Sequence, residues 1–348
     1  MSGTSLDGLD VCYAGFAYAD GGWDYEILAA TTYSYDQIWL DKLSGAMELD
    51  KSELDILDKE FGTYIGQRIN EFIHAHGIKT KIDLICSHGH TVFHQPENEI
   101  TLQIGDGPAI ANSCGIDVVN DFRIGDVLLG GQGAPLVPVG DRLLFSDFDA
   151  CLNLGGFSNI SFEKGGKRVA FDISPANLPL NRLARKVFGL DYDKKGEIAG
   201  SSEVNTGLLR RLNNIPFYRQ DGPKSLGVEW LNNFFYPILN DFSSLAPAVI
   251  MRTIVEHETD QIAAVINKEG LKRVLVTGGG AKNIFFMRCL QRKTTAELVV
   301  PDVLLLDFKE ALIFGLLGVL RLRNEINTYA SVTGAKRDSV GGKIYSVG

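Results

Sequence analysis

Three times along this chain an apolar, strand-like run meets a cluster of glycines, and that recurrence constrains the fold more than any other feature. The first cluster is Met1-Ser2-Gly3-Thr4-Ser5-Leu6-Asp7-Gly8-Leu9-Asp10, set directly before Val11 to Phe16. The second is Asn153-Leu154-Gly155-Gly156-Phe157, and the third is Thr277-Gly278-Gly279-Gly280-Ala281-Lys282-Asn283, between a strand pattern over 273–276 and a helical pattern over 284–291. Glycine lets backbone approach an anionic or flat ligand and take up positive φ. One such cluster is ordinary turn material; three at strand ends point to a nucleotide held between two lobes. In the first cluster Gly3, Thr4 and Ser5 suit a phosphate, and Asp7 suits Mg²⁺ held directly or through water. Gly155 and Gly156 join them at the phosphates, while Gly278, Gly279, Gly280 and Asn283 are expected beside the adenosine.

At 348 residues and 45% hydrophobic content the chain can bury two cores. A net charge of −9 argues against a nucleic-acid surface, which would need clustered basic charge. The five cysteines, at 12, 86, 114, 151 and 289, show no CxxC spacing and read as reduced thiols in a cytoplasmic protein. No basic-then-apolar leader precedes the first motif, and no apolar stretch approaches the roughly 20 residues of a membrane span, so no membrane partner is expected.

Periodicity predicts strands over 9–17 and 24–32, a helix over 35–43 and a long helix over 52–76 with Ser52 as its N-cap. Strands over 84–86 and 101–104 flank a histidine-rich turn. Strands over 149–154, 160–163 and 168–172 then repeat the opening pattern, implying an α/β fold of two similar lobes. The break at Gly130 to Pro135 puts the boundary near 135–140. The N-terminal lobe is expected over 1–138, completed by 332–348, and the C-terminal lobe over 139–331.

Several segments resemble, in the same order, those of the anhydro-N-acetylmuramic acid kinases. They are Met1 to Asp10, Ser87-His88-Gly89-His90-Thr91, Gln103 to Asp106, Asp121-Phe122-Arg123, Gly130 to Pro135, Asn153 to Gly156, Thr277 to Ala281 with Asn283, Glu310-Ala311 and Thr333-Gly334-Ala335. The resemblance covers essentially the whole chain. It implies the actin/hexokinase-like (ribonuclease H-like) fold with an interlobe cleft, ATP and Mg²⁺ as cofactors, and a homodimer. The implied reaction opens the 1,6-anhydro ring of the sugar with water and phosphorylates O6, in peptidoglycan recycling. A non-catalytic nucleotide-binding or regulatory protein of the same fold is the alternative.

That chemistry needs a carboxylate to take a proton from the attacking water. Asp172, at the end of the strand over 168–171, matches the family's catalytic Asp-Thr-Gly-Pro-Gly-Asn turn; otherwise it is a strand-end cap. Here Ile173, Ser174 and Ala176 replace Thr and two glycines, and a Cβ at 174 or 176 would narrow the room beside a phosphate. His88 and His90 are expected to line the sugar pocket, although the family has Gln at the position of His90. His94 completes a cluster that could instead be read as metal ligands, but no second ligand segment accompanies it.

Arg123 suits the lactyl carboxylate of the sugar through a bidentate contact, with Asp121 beside it, and the plain reading of both is a salt bridge. Glu310, at the start of an apolar helix over 311–322, either orients sugar or water or is an acid favoured by the helix dipole. Lys224-Ser225-Leu226-Gly227 also recurs in the family, with no role evident from its chemistry. The lobes are expected to close on substrate, with 130–135 beside the hinge. The family places a few apolar residues before the Ser-Gly-Thr turn to form most of the first strand, whereas here the numbering begins at the turn. The strand is either abbreviated or cut from the sequence.

Overall fold

The structure, a computed structural model, describes residues 1–3 and 6–347. The chain forms two compact units, Met1–Leu144 with Phe308–Gly348, and Phe145–Asp307. The helix Val303–Leu322 runs through the second boundary, so residues 308–331, which the sequence pattern assigned to the C-terminal lobe, lie with the first unit.

In the first unit β1 (Leu9–Ala19) and β2 (Gly22–Tyr33) form an antiparallel hairpin. Asp20 and Gly21 close it with φ of 53° and 81°, the two left-handed residues that let a two-residue turn follow the twist of its strands. β3 (Ile85–Cys86) pairs in parallel with β6 (Val118–Asn120). β4 (His90–Gln95) and β5 (Ile100–Ile104) form a second hairpin, so part of the expected histidine turn is itself a strand.

The helix Lys51–Ala75 begins at Asp50, not Ser52: the Asp50 carboxylate accepts from the Glu53 amide, and Glu53 reaches back to the Asp50 amide. An acid at that position also meets the helix dipole favourably, which Ser52 cannot do. Leu54, Leu57, Phe61, Ile65, Ile69 and Phe72 form its buried stripe. Gly62 and Gly66 let the helix Gly107–Cys114 approach closely, since a Cβ on Gly66 would stand 2.5 Å from the Ser113 side chain.

The second unit holds one five-stranded sheet. Its strands are β7 (Ala150–Leu154), β8 (Phe157–Lys164), β9 (Lys167–Pro175), β10 (Arg273–Thr277) and β11 (Glu297–Val299), in the order β11-β10-β7-β8-β9. β11, β10 and β7 are parallel, while β8 and β9 are antiparallel additions. Leu152 and Leu154 of β7 pack in the core with Met251, Ile254 and Ile262 of the helix Pro247–Lys268. A last strand, β12 (Lys343–Tyr345), returns to the first unit and pairs antiparallel with β6.

Candidate active site

In the first unit the expected site residues are joined by hydrogen bonds rather than by a sheet. Ser2 bridges two segments, pairing antiparallel with Leu9 and parallel with His90. Its hydroxyl accepts from the Tyr35 hydroxyl at 2.7 Å and lies 2.9 Å from His90 Nδ1, so Ser2 donates to a neutral His90. Burial lowers the His90 pKa and holds it in that state. The turn that follows places the Leu6 amide on the Gly3 carbonyl at 3.2 Å. Gly8 allows β1 to start there: a Cβ would meet the Tyr33 carbonyl oxygen at 2.7 Å. Thr4 and Ser5 lie outside the described residues. Asp7 is exposed on this turn.

His88 accepts at Nε2 from two guanidinium nitrogens of Arg123, at 3.0 and 2.8 Å, and its Nδ1 faces the Gly89 carbonyl at 3.1 Å. That pattern fixes a neutral ring protonated at Nδ1. Burial first, and the Arg123 charge second, hold its pKa well below the usual histidine value. A third Arg123 nitrogen donates to the Gly133 carbonyl at 2.8 Å, so the arginine is clamped in place with N–H groups to spare.

Glu310 sits well inside the helix Val303–Leu322, which removes the dipole reading given to it as a first-turn acid. It opens to solvent, yet the surrounding protein desolvates it enough to raise its pKa, against the pull of Arg123 and the Met1 amine. Asp121 follows β6 with a left-handed φ of 55° and pairs with Lys343 at 2.6 Å. Among the described residues no group of three His, Cys, Asp or Glu side chains could hold a metal ion by itself. A magnesium ion carried on nucleotide phosphates needs only one or two protein carboxylates, and exposed Asp7 fits that demand.

The second unit brings two of its glycine turns together. Asn153 of β7 stands beside Thr277 of β10, so both turns leave the carboxyl ends of adjacent parallel strands, where α/β sheets bind ligands. Gly278 has φ 85°, and a Cβ there would lie 2.5 Å from the Asn153 side chain and 2.8 Å from the Leu154 backbone. Gly155 and Gly156 form the hairpin turn between β7 and β8. Asn177 locks it by donating from its side chain to the Leu154 and Gly155 carbonyls at 3.0 and 2.8 Å. Gly279 is exposed, and backbone there is open to a flat ligand. Asn283 spends its side chain on the Phe286 amide at 3.0 Å, capping the helix Ile284–Gln291.

Asp172 lies within β9, which runs on to Pro175, and does not end the strand. Its Oδ2 accepts from the Leu226 amide at 2.8 Å and faces the Ser225 hydroxyl at 3.4 Å, while its own amide donates to the Lys224 carbonyl at 2.9 Å. Burial raises its pKa, and the Leu226 and Ser225 bonds partly oppose this. A carboxylate fixed through one oxygen and made more basic by burial is equipped to accept a proton on the other. The departures at 174 and 176 are both buried. Ser174 is fully buried against Ser158, neither residue takes a positive φ, and Ala176 is 2% exposed. The clamp by Asn177 and the seat built by Lys224 to Leu226 escaped the sequence pattern. Asn177 follows Asp172 closely in the chain, and that proximity was the available signal.

The family model for anhydro-N-acetylmuramic acid kinase matches residues 1–347. A protein of that name from Francisella tularensis subsp. novicida is 33% identical, with 99% of this chain and 97% of that protein covered. One from Haemophilus influenzae is 34% identical over 97% of this chain and 94% of its own length, and one from Pasteurella multocida is 35% identical over 99% and 95%. With agreement along essentially its whole length, the chain belongs to the anhydro-N-acetylmuramic acid kinase family, enzymes of cell-wall sugar recycling.

Proposed function

We propose that the chain uses ATP to convert 1,6-anhydro-N-acetylmuramic acid and water into N-acetylmuramic acid 6-phosphate and ADP, with Asp172 as the general base. Water attacks the anomeric carbon, the bond from that carbon to O6 breaks, and O6 takes the γ-phosphoryl group. Asp172 accepts the proton of the attacking water. The fixed, desolvated carboxylate of Asp172, held by Leu226 and Ser225, is the observation that carries this reading.

The first turn, with Gly3 to Asp7, and the Gly155-Gly156 hairpin are suited to phosphate, and Gly278 to Gly280 offer bare backbone to the adenosine. Asp7 would hold Mg²⁺, which when bound offsets phosphate charge during transfer. Arg123, clamped by His88 and Gly133, has N–H groups left to receive the lactyl carboxylate. The neutral His88 and His90 rings orient Arg123 and Ser2 respectively. Glu310, drawn toward Arg123 and the Met1 amine, orients sugar or water. Asp121, tied to Lys343, steadies the strand end that carries Arg123.

Five free cysteines and the need for ATP support a cytoplasmic setting, and no helix among the described residues is long and apolar enough to cross a membrane. The family resemblance supports a homodimer. The test is incubation with ATP, Mg²⁺ and the anhydro sugar in ¹⁸O-labelled water, followed by mass analysis. A 6-phosphate carrying the label at the anomeric hydroxyl is expected. Label in the phosphate, or no phosphorylated product, overturns the proposal.

A further inference from the structure

In the second unit the ammonium of Lys224 is turned onto its own loop. It donates to the Phe217 carbonyl at 3.1 Å and to the Gln220 carbonyl at 3.0 Å, and it stands 4.5 Å from the centre of the Phe217 ring. Hydrogen bonds from a charged donor are stronger than neutral ones, and two of them on one side chain tie residue 224 back to residues 217 and 220. Asp221, an acid of the same loop, is paired with Lys268 at 2.5 Å. Burial lowers the Lys224 pKa, as expected of a charge partly stripped of water, and the two carbonyls replace that water.

The far end of this tether is anchored. Phe217 is buried in the 3₁₀ turn Pro216–Arg219, next to Tyr218. His257, on the helix Pro247–Lys268, faces the Asn213 side-chain oxygen through Nδ1 at 2.5 Å and therefore donates there, which leaves Nε2 to accept from the Tyr218 hydroxyl at 2.9 Å. Between the two ends Gly222 lies against the Phe171 ring with no room for a methyl group. The near end reaches Asp172. β9 is the last strand of its sheet, and the Asp172 amide donates to the Lys224 carbonyl at 2.9 Å. The next two residues hold the carboxylate, Leu226 by its amide at 2.8 Å and Ser225 by its hydroxyl at 3.4 Å.

We propose that Lys224 is a positioning residue for Asp172, its ammonium linking the anchored turn at Phe217 and Tyr218 to the two groups that hold the carboxylate. The inference rests on the reading of Asp172 as the general base. A carboxylate fixed through Oδ2 presents its other oxygen in one direction, and a misplacement of about 1 Å can cost about 10²-fold in rate. Without the ammonium, Ser225 and Leu226 lose their tie to the anchored turn, and the carboxylate is held over a wider range of positions. The Lys224 charge supplies geometry, not a proton.

The experiment compares the full chain with Lys224→Met, Lys224→Arg, Asp172→Asn and the double variant Lys224→Met with Asp172→Asn, reading kcat, KM for ATP and amide hydrogen exchange. Lys224→Met is expected to lower kcat about tenfold with KM for ATP unchanged, and to speed exchange at the Leu226 amide at least about tenfold while exchange at Leu152, in the sheet core, stays as it was. Lys224→Arg keeps a charge and donors for both carbonyls and is expected to recover most of both effects. In the Asp172→Asn background the Lys224→Met change is expected to cost at most about twofold, because residues that act as a unit are not additive. A general loosening of the fold would lower turnover equally in either background. Unchanged exchange at Leu226 in Lys224→Met, or a full further tenfold loss (about the single-variant effect) in the double variant, overturns the proposal. Low turnover in Asp172→Asn with normal turnover in Lys224→Met overturns the positioning role alone, whereas near-normal turnover in Asp172→Asn overturns the base assignment and the proposal with it.

Discussion

The two units hold their candidate site residues by different means. In the second, five strands are bonded side by side without interruption, and the glycine turns at the ends of β7 and β10 fit each other so closely that Gly278 has no room for a methyl group. Close backbone packing dominates there, with the Asn177 side chain locking one turn. In the first, the strands fall into a two-stranded hairpin, a three-stranded sheet and a second hairpin, and the site is wired instead through side chains, Tyr35 to Ser2 to His90 and Arg123 to His88. A site held by backbone answers to steric change. A site held by side chains answers to changes of hydrogen-bonding group and charge.

The contrast can be broken first at Asp172. Asp172→Asn keeps the size of the side chain and its seat on Leu226 while deleting the base, so kcat should fall by about 10² or more with ATP affinity retained. Steady-state kinetics and nucleotide titration check both halves of that statement. Because burial raises the Asp172 pKa, the acid limb of the wild-type kcat profile should lie above the ordinary aspartate range, activity being lost as pH falls through it. Near-normal turnover in the variant would move the base to another carboxylate, with Glu310 next.

Gly278→Ala tests the glycine turns of the second unit. The added Cβ meets Asn153 and Leu154 at a positive φ, and a loss of about 2–3 kcal/mol of stability is expected by denaturant unfolding. The side-chain network of the first unit should respond differently. Arg123→Lys cannot grip both His88 and Gly133 with one ammonium, so KM for the sugar should rise by about tenfold while the unfolding midpoint barely moves. If the midpoint falls and KM does not, Arg123 is a scaffold residue.

The smallest effect concerns Glu258, a fully buried acid with neither oxygen partnered among the described residues. Burial raises its pKa well above the usual glutamate value. The folded chain therefore keeps a proton that the unfolded chain has released, and stability falls as pH rises between the unfolded and folded values. Glu258→Met should raise stability near neutral pH by about 1 kcal/mol and remove that slope, as seen in urea unfolding across pH. His257 beside it does not compensate. Its ring bonds Asn213 and Tyr218, and burial pushes its pKa down to about 3.

Much of this was legible because it depends on local pattern. The two opening strands and the helix Ile284–Gln291 follow from spacing alone. Asp172, Arg123 and the glycine turns were singled out by residue type, order and family resemblance. What escaped depends on partners far apart in the chain. Nothing near Asp172 indicates that Ser225 and Leu226 will hold it. The expected cap, Ser52, gives way to Asp50 through a local reciprocal contact with Glu53. The helix holding Glu310 starts earlier than its apolar pattern suggested, because the apolar run Val303 to Leu306 belongs to it.

The thiols of Cys12 and Cys86, residues that line one cavity of the first unit, are both pushed by burial to about 12. At neutral pH only about one molecule in 10⁵ then carries either as thiolate, the form that reacts with alkylating agents and oxidants. These cysteines should outlast ordinary oxidative ageing of the protein, and any rapid labelling of them would be a clock for the moments when that part of the interior opens to water.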